Sequence, residues 1–178
     1  MRKLLFTAAS LGLMLAVSAQ TNPAITSWLQ NTTTFGSHYV SGNSTVIKDN
    51  VLANVQKVQY SNDFVYINTH GIPAYPTGPF LDRNPSLATD QNAIFKIPLN
   101  PSKNTGTPST TTGGNIGVFV NGVALFDYRD GVSYNLRVAN DQGGPGGGRG
   151  DGVWNRDAIP AEMAGFDCSK GQTQPFQL

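Results

Sequence analysis

Cysteine, histidine and glutamate are scarce in this chain of 178 residues, which has one cysteine (Cys168), two histidines (His38 and His70) and one glutamate (Glu162). A single cysteine excludes an internal disulfide framework, and two histidines leave few groups for a zinc site or for imidazole catalysis. Charged residues make up only 13% of the chain. Because lysine and arginine are not clustered, we expect no nucleic-acid partner.

Small polar residues are abundant instead, with 20 glycines, 16 asparagines and 16 threonines. Such a composition suits short strands joined by turns and is unfavourable for long helices. The apolar share of 39% is enough for one hydrophobic core, and the chain is too short to favour two full domains.

One long apolar run, Leu4–Val17, follows the positive start Met1-Arg2-Lys3 and ends in small residues. It is shorter than the roughly 20 residues of a membrane-spanning helix and has the three-part pattern of a signal peptide. We therefore expect residues 1–19 to be a signal peptide that is cleaved before Gln20. The product would be exported to a periplasmic, cell-surface or secreted location, with no stable membrane anchor after cleavage.

The segments that follow predict short strands and loops. Residues 20–50 read as a loop-rich segment with one edge strand, and residues 101–114 as an exposed loop. Alternating apolar residues predict three strands, which are Val51–Tyr60, Asp63–Asn68 and Ala93–Leu99.

The clearest local pattern is a β-hairpin with arms at residues 116–120 and 123–126. Asn121-Gly122 between the arms is the preferred pair for a two-residue type I′ turn, in which both residues have positive φ. Because both arms are mostly apolar, we expect this hairpin to be central and buried on both faces.

Near the C terminus, residues 140–152 contain seven glycines and predict no regular element. They include Arg149-Gly150-Asp151, a tripeptide that adhesion receptors read but that arises easily by chance. Pro160 at a first helical position predicts a short helix over residues 159–165. The expected fold is one antiparallel β-rich, sandwich-like domain with long loops and this one short helix.

Few residues suggest chemistry. Asp157, Glu162 and Asp167 are five residues apart, which on a helix turns them away from a common face, so capping and turn roles are favoured over paired-carboxylate catalysis. Geometry does not exclude a zinc site built from His38, His70 and Cys168, but the spacing of these residues in the sequence does not indicate one. The residues alone establish no catalytic site.

Three segments, taken in order, resemble the exported bacterial proteins with a YHYH domain: Asn68–Phe80, Asn115–Phe126 and Val153–Gly171. The resemblance covers residues from about 55 to 171. It divides the chain into the signal peptide (1–19), a loop-rich segment (20–50) and a YHYH-like β-rich domain (51–178).

The C-terminal end of the chain departs from the pattern of this family. In the family, the Asp-x-Cys segment continues into Gly-His and then Tyr-His-Tyr-His, whereas here Gly171 is followed by Gln172 and the chain ends at Leu178. We therefore expect a C-terminally incomplete family member, a fragment. Composition leaves Cys168 open as a buried bystander, a reactive thiol or half of a bridge, and the resemblance favours the bridge, with its partner in the lost segment.

The family implies no settled activity, and close histidines imply a divalent metal or small ligand in complete relatives. In this chain, His70 and Cys168 remain as metal candidates, and Asp157, Glu162 and Asp167 as catalytic candidates. The alternatives to an impaired ligand- or metal-binding domain are an extracytoplasmic hydrolase and a surface interaction module that uses the Thr/Asn-rich loops.

Overall fold

Short β-strands dominate the computed structural model, which describes residues 22–81, 87–109, 113–143 and 154–173. In chain order the described strands are β1 (Phe35–His38), β2 (Ile47–Leu52), β3 (Val55–Tyr60), β4 (Phe64–Thr69), β5 (Ala93–Pro98), β6 (Asn115–Val118), β7 (Ala124–Phe126), β8 (Arg129–Asn135), β9 (Asn140–Gly143) and β10 (Trp154–Asp157). The helices are α1 (Pro23–Thr26), α2 (Ala158–Glu162) and a 3₁₀ turn (Met163–Gly165). The predicted signal peptide lies outside the described residues.

The strands form four small sheets, and every strand pair is antiparallel. Their orders are β1-β2, β3-β4-β5, β6-β7 and β10-β8-β9. The prediction of a mainly β, antiparallel fold with one short helix near the C terminus is confirmed. No helix among the described residues is long and apolar enough to cross a membrane.

The β3-β4-β5 sheet holds the hydrophobic core. Along β4, Val65 and Ile67 point inward and are fully buried, and they pack with Val55 and with Ile25 from α1. The Ser61 hydroxyl accepts hydrogen bonds from the next turn residues, so polar turn chemistry closes the β3-β4 connection. The three strands predicted here from alternation and turn residues are confirmed, with β3 beginning at Val55 rather than at residue 51.

The predicted hairpin forms, but with a different turn. Gly122 has a φ of 83°, whereas Asn121 stays out of the positive-φ region. The N–H of Gly122 donates to the Phe119 carbonyl over 2.7 Å, and the N–H of Phe119 donates to the Val123 carbonyl over 2.8 Å. The loop therefore has three residues and Gly122 forms a bulge, so the type I′ prediction was wrong.

The prediction that this hairpin is buried on both faces was also wrong. Ile116 is 54% exposed and Phe126 is 41% exposed. The hairpin forms a two-stranded sheet of its own, and its tip packs on the core sheet where Gly122 approaches Thr69 and Val55. Apolar sequence predicted burial, but a separate two-stranded sheet leaves both of its faces without a covering layer.

Three further predictions need correction. Asn140–Gly143 was expected to be irregular but forms β9, because pairing with β8 supplies its hydrogen bonds. The rest of the glycine tract, with Arg149-Gly150-Asp151, lies outside the described residues.

The C-terminal helix begins at Ala158 with Asp157 as its N-cap, so Pro160 is not the first helical residue. Residues 20–50 hold α1, β1 and most of β2, more regular structure than expected.

Candidate functional site

A cleft of about 470 Å³ opens beside the β1-β2 sheet, and we call it the histidine cleft. Small-molecule sites in proteins span roughly 300–1,000 Å³, so the cleft has the size of such a site. Its lining residues are His38, Lys48, Asp49, Asn50, Val51, Ile72, Leu87, Ala88, Thr89 and Asp90. The wall thus combines aliphatic side chains with hydrogen-bonding groups.

A short hydrogen bond joins His38 to Asp49 at this cleft, with 2.6 Å between Nδ1 and Oδ1. Antiparallel pairing explains the contact: His38 lies opposite Ile47, so Asp49 is the diagonal neighbour on the same face. The two side chains are only 12% and 16% exposed. Backbone hydrogen bonds between residues 37–39 and Thr77 hold the other edge of β1, which fixes the position of His38.

The second histidine lies next to the cleft, just after β4. The N–H of His70 donates to the Gln56 side chain over 2.9 Å, and its carbonyl accepts from the N–H of Gln91 over 2.9 Å. Its Nδ1 lies 3.4 Å from Oδ1 of Asp90 but lacks the geometry of a hydrogen bond, and it is buried without a partner among the described residues. His70 therefore borders the cleft through Asp90 and does not line it.

The charges of the cleft are incompletely balanced. Neither Asp49 nor Asp90 forms an ion pair with a lysine or arginine of the described residues. The ammonium of Lys48 instead lies 4.5 Å from the centre of the Phe35 ring. Within the described ranges, no three His, Cys, Asp or Glu side chains come together to hold a metal ion.

The C-terminal half of the chain has a recognisable family. The family model described as YHYH protein matches residues 94–177. This part of the chain belongs to the YHYH family. The match starts later than the expected residue 55 and continues beyond Gly171, where the resemblance was expected to end. No curated protein and no solved structure matches the chain.

All residues that line the histidine cleft precede the YHYH match. The match therefore says nothing about the residues of the cleft. Whether complete relatives hold a metal, and whether the C terminus is shortened, both stay predictions.

The three carboxylates selected from the sequence lie in the YHYH region, away from the cleft lining. Asp157 accepts from the N–H of Ile159 over 2.9 Å and caps α2. Glu162 ends that helix. Asp167 is buried and accepts from the N–H groups of Gly78, Ser169 and Gly171 over 2.9 to 3.0 Å. The contact of Asp157 is a capping contact, and those of Asp167 with Ser169 and Gly171 are turn contacts, whereas its contact with Gly78 is long-range.

Asp167 also links the YHYH region to the earlier part of the chain. Its bond to Gly78 is buried and joins residues 89 positions apart. Tyr75 lies near this carboxylate. The pKa of its phenol is raised above the ordinary value, mainly by partial burial and to a smaller extent by the negative charge of Asp167. The contact is an anchor between two parts of the fold.

The two metal candidates from the sequence have different surroundings. Cys168 is exposed as a free thiol in the turn after Asp167, whereas His70 is held beside Asp90. The structure gives no contact between them.

Sequence reasoning missed Asp49 and Asp90 and gave His38 only a passing role. Their contacts join residues 11 and 20 positions apart, so no local motif carries them. The relevant signal is strand pairing, because β1 places His38 diagonally opposite Asp49 on β2.

Proposed function

We propose that this chain is an exported protein with a YHYH region that binds a small organic ligand in the histidine cleft. The observation that carries the proposal is the convergence of two histidine–aspartate contacts on one cleft of ligand size. Export rests on the signal-peptide pattern of residues 1–19, and an intact mass beginning at Gln20 would support it, whereas retained Met1 would contradict it.

The chemistry of the wall indicates the class of ligand. Val51 and Leu87 offer an apolar surface, whereas Asp49 and Asp90 offer carboxylate oxygens without a lysine or arginine partner in the described ranges. Such a wall favours a molecule with a short apolar chain and hydrogen-bond donors. The interaction-module alternative has no comparable site among the described residues.

Binding is testable with N-butylacetamide, which combines an amide with a short aliphatic chain. We expect saturable changes in backbone amide resonances, confined to the residues around the cleft. Leu87→Trp, which places a large ring at the cleft wall, should abolish them.

The matched control is Leu136→Trp, at a side chain that is 66% exposed and outside the cleft lining. It should bind as the parent does. Changes that are spread over the surface, or unaltered binding by Leu87→Trp, would contradict the proposal.

A further inference from the structure

The hydrogen bond between His38 and Asp49 fixes where the imidazole carries its proton. An ionised carboxylate only accepts hydrogen bonds, so the 2.6 Å contact requires a proton on Nδ1 of His38. In the neutral ring, Nε2 then holds a lone pair. No described residue forms a hydrogen bond with Nε2, and this atom is not among the buried unpartnered ones. In this tautomer Nε2 has an unshared lone pair that accepts a proton, on a side chain that lines the cleft.

Gly36 makes this arrangement sterically feasible. It lies on β1 in the irregular stretch between the Phe35–Leu52 and Ser37–Lys48 pairs. A Cβ at this position would lie 2.7 Å from Oδ2 of Asp49 and 2.5 Å from Cγ2 of Ile72. The carboxylate therefore reaches His38 across a space that any side chain at position 36 would fill.

We propose that His38 is a general base that activates water to hydrolyse a small ester bound in the histidine cleft, with Asp49 and Gly36 as positioning residues. The ester carries a hydrogen-bond donor elsewhere in the molecule, as the carboxylates of the cleft wall favour. The proposal rests on ligand binding in this cleft.

In the reaction, water attacks the ester carbonyl and gives one proton to Nε2 of His38. The acyl C–O bond then breaks, and the departing alkoxide takes that proton. The products are a carboxylic acid and an alcohol, and His38 returns to its neutral form.

The tautomer is measurable because the chain has only two histidines. In protein labelled with ¹⁵N-histidine, His70→Gln leaves the His38 ring as the single signal. We expect the Nδ1–H tautomer for His38 in that protein, and a mixture of tautomers once Asp49→Asn is added. A His38 ring already mixed, or in the Nε2–H form, would overturn the proposal.

Hydrolysis is measured with the p-nitrophenyl ester of N-acetylglycine, whose amide N–H supplies a hydrogen-bond donor, on the otherwise unaltered chain. His38→Gln and Asp49→Asn should each lower the protein-dependent rate by at least about tenfold, in line with the contribution of general bases. Asp141→Asn is the matched control, because it makes the same change on β9 outside the cleft lining, and its rate should stay within about twofold. If His38→Gln and Asp49→Asn hydrolysed the ester as fast as the control Asp141→Asn does, the proposal would be overturned.

Gly36→Ala tests positioning separately from chemistry. It retains both polar side chains, and we expect it to lose the single tautomer and to lower the rate as Asp49→Asn does. A folded Gly36→Ala protein with the parent tautomer and rate would refute the role of Gly36. If that variant does not fold, the tautomer and rate of Asp49→Asn decide whether positioning of His38 matters.

Binding and catalysis fail separately in these experiments. If N-butylacetamide binds in the cleft but no hydrolysis depends on His38, the general-base proposal is wrong and ligand binding stands. If no binding is found, the proposed function is wrong, and any ester hydrolysis then occurs without a specific site.

Discussion

The two halves of the described chain are stabilised in different ways. Every buried apolar side chain of the described residues lies in residues 22–81, and these are Ile25, Ala53, Val55, Val65, Ile67, Ile72, Pro73 and Phe80. In the described residues of the C-terminal region, 113–143 and 154–173, the buried side chains are polar, namely Asp127, Ser133, Asp167 and Thr173. Hydrophobic burial therefore dominates the N-terminal region, whereas hydrogen bonds and ion pairs organise the C-terminal region.

This difference in buried side chains indicates how the C-terminal region is stabilised. Its ion pairs, Asp127–Arg129 and Asp130–Arg156, include partly exposed arginines, and such pairs typically contribute about 0–1 kcal/mol. Its firm contacts are instead with the N-terminal region, through Gly122 at the hairpin tip and through Asp167. We infer that the C-terminal region depends on the core that it does not itself contain.

The largest expected effect comes from the same substitution made in each region. Ile67→Ala empties a fully buried position and should lower the free energy of unfolding by about 2–5 kcal/mol. Ile116→Ala makes the same change at a side chain that is 54% exposed and should cost no more than about 0.5 kcal/mol. Urea unfolding measures both values. Similar losses at the two positions would break the distinction between the regions.

A smaller effect should follow from loosening the hairpin tip. Gly122→Ala places a Cβ 2.8 Å from Cβ of Thr69 and 3.1 Å from Val55, at a φ of 83°. Clash and backbone strain together should destabilise the protein by about 1–3 kcal/mol.

Gly117→Ala in the same hairpin is the control, since its Cβ would meet Leu125 at an ordinary 3.6 Å. We expect a change in unfolding free energy of at most about 1 kcal/mol from it. If Gly122→Ala unfolds at the same urea concentration as Gly117→Ala, the tip does not anchor the C-terminal region.

The sequence predicted the N-terminal sheet better than the C-terminal one, for a physical reason. Val65 and Ile67 alternate with half-buried residues along β4, so local pattern and core burial agree. In β9, the sequence Asn-Asp-Gln-Gly has no strand preference, and its pairing with β8 alone makes it a strand. Structure that depends on a distant partner leaves little trace in the local sequence.

The candidate site shows the same division. His70 was selected because it is one of two histidines, whereas Asp49 and Asp90 were not, because only the folded chain brings them next to imidazoles. The carboxylates that the sequence did select, Asp157 and Asp167, satisfy backbone N–H groups instead. Composition therefore identified the scarce residues, and tertiary contacts decided which of them lies at the cleft.

The smallest expected effect concerns Tyr75, which monitors the anchor at Asp167. Partial burial, and next the charge of Asp167, raise the pKa of this phenol above its ordinary value near 10. The unfolded chain then releases the phenolic proton at lower pH than the folded chain does. Stability is therefore retained below about pH 10 and declines as the pH rises through the folded pKa.

Absorbance of tyrosinate against pH measures this titration. Tyr75→Phe should remove a late-titrating group, whereas Asp167→Asn should move that group to lower pH without removing it, because burial remains. If Asp167→Asn left the titration of Tyr75 unchanged, the carboxylate would not lie beside the phenol in solution. The C-terminal turn would then not be docked on the N-terminal region, and the two regions would be stabilised independently.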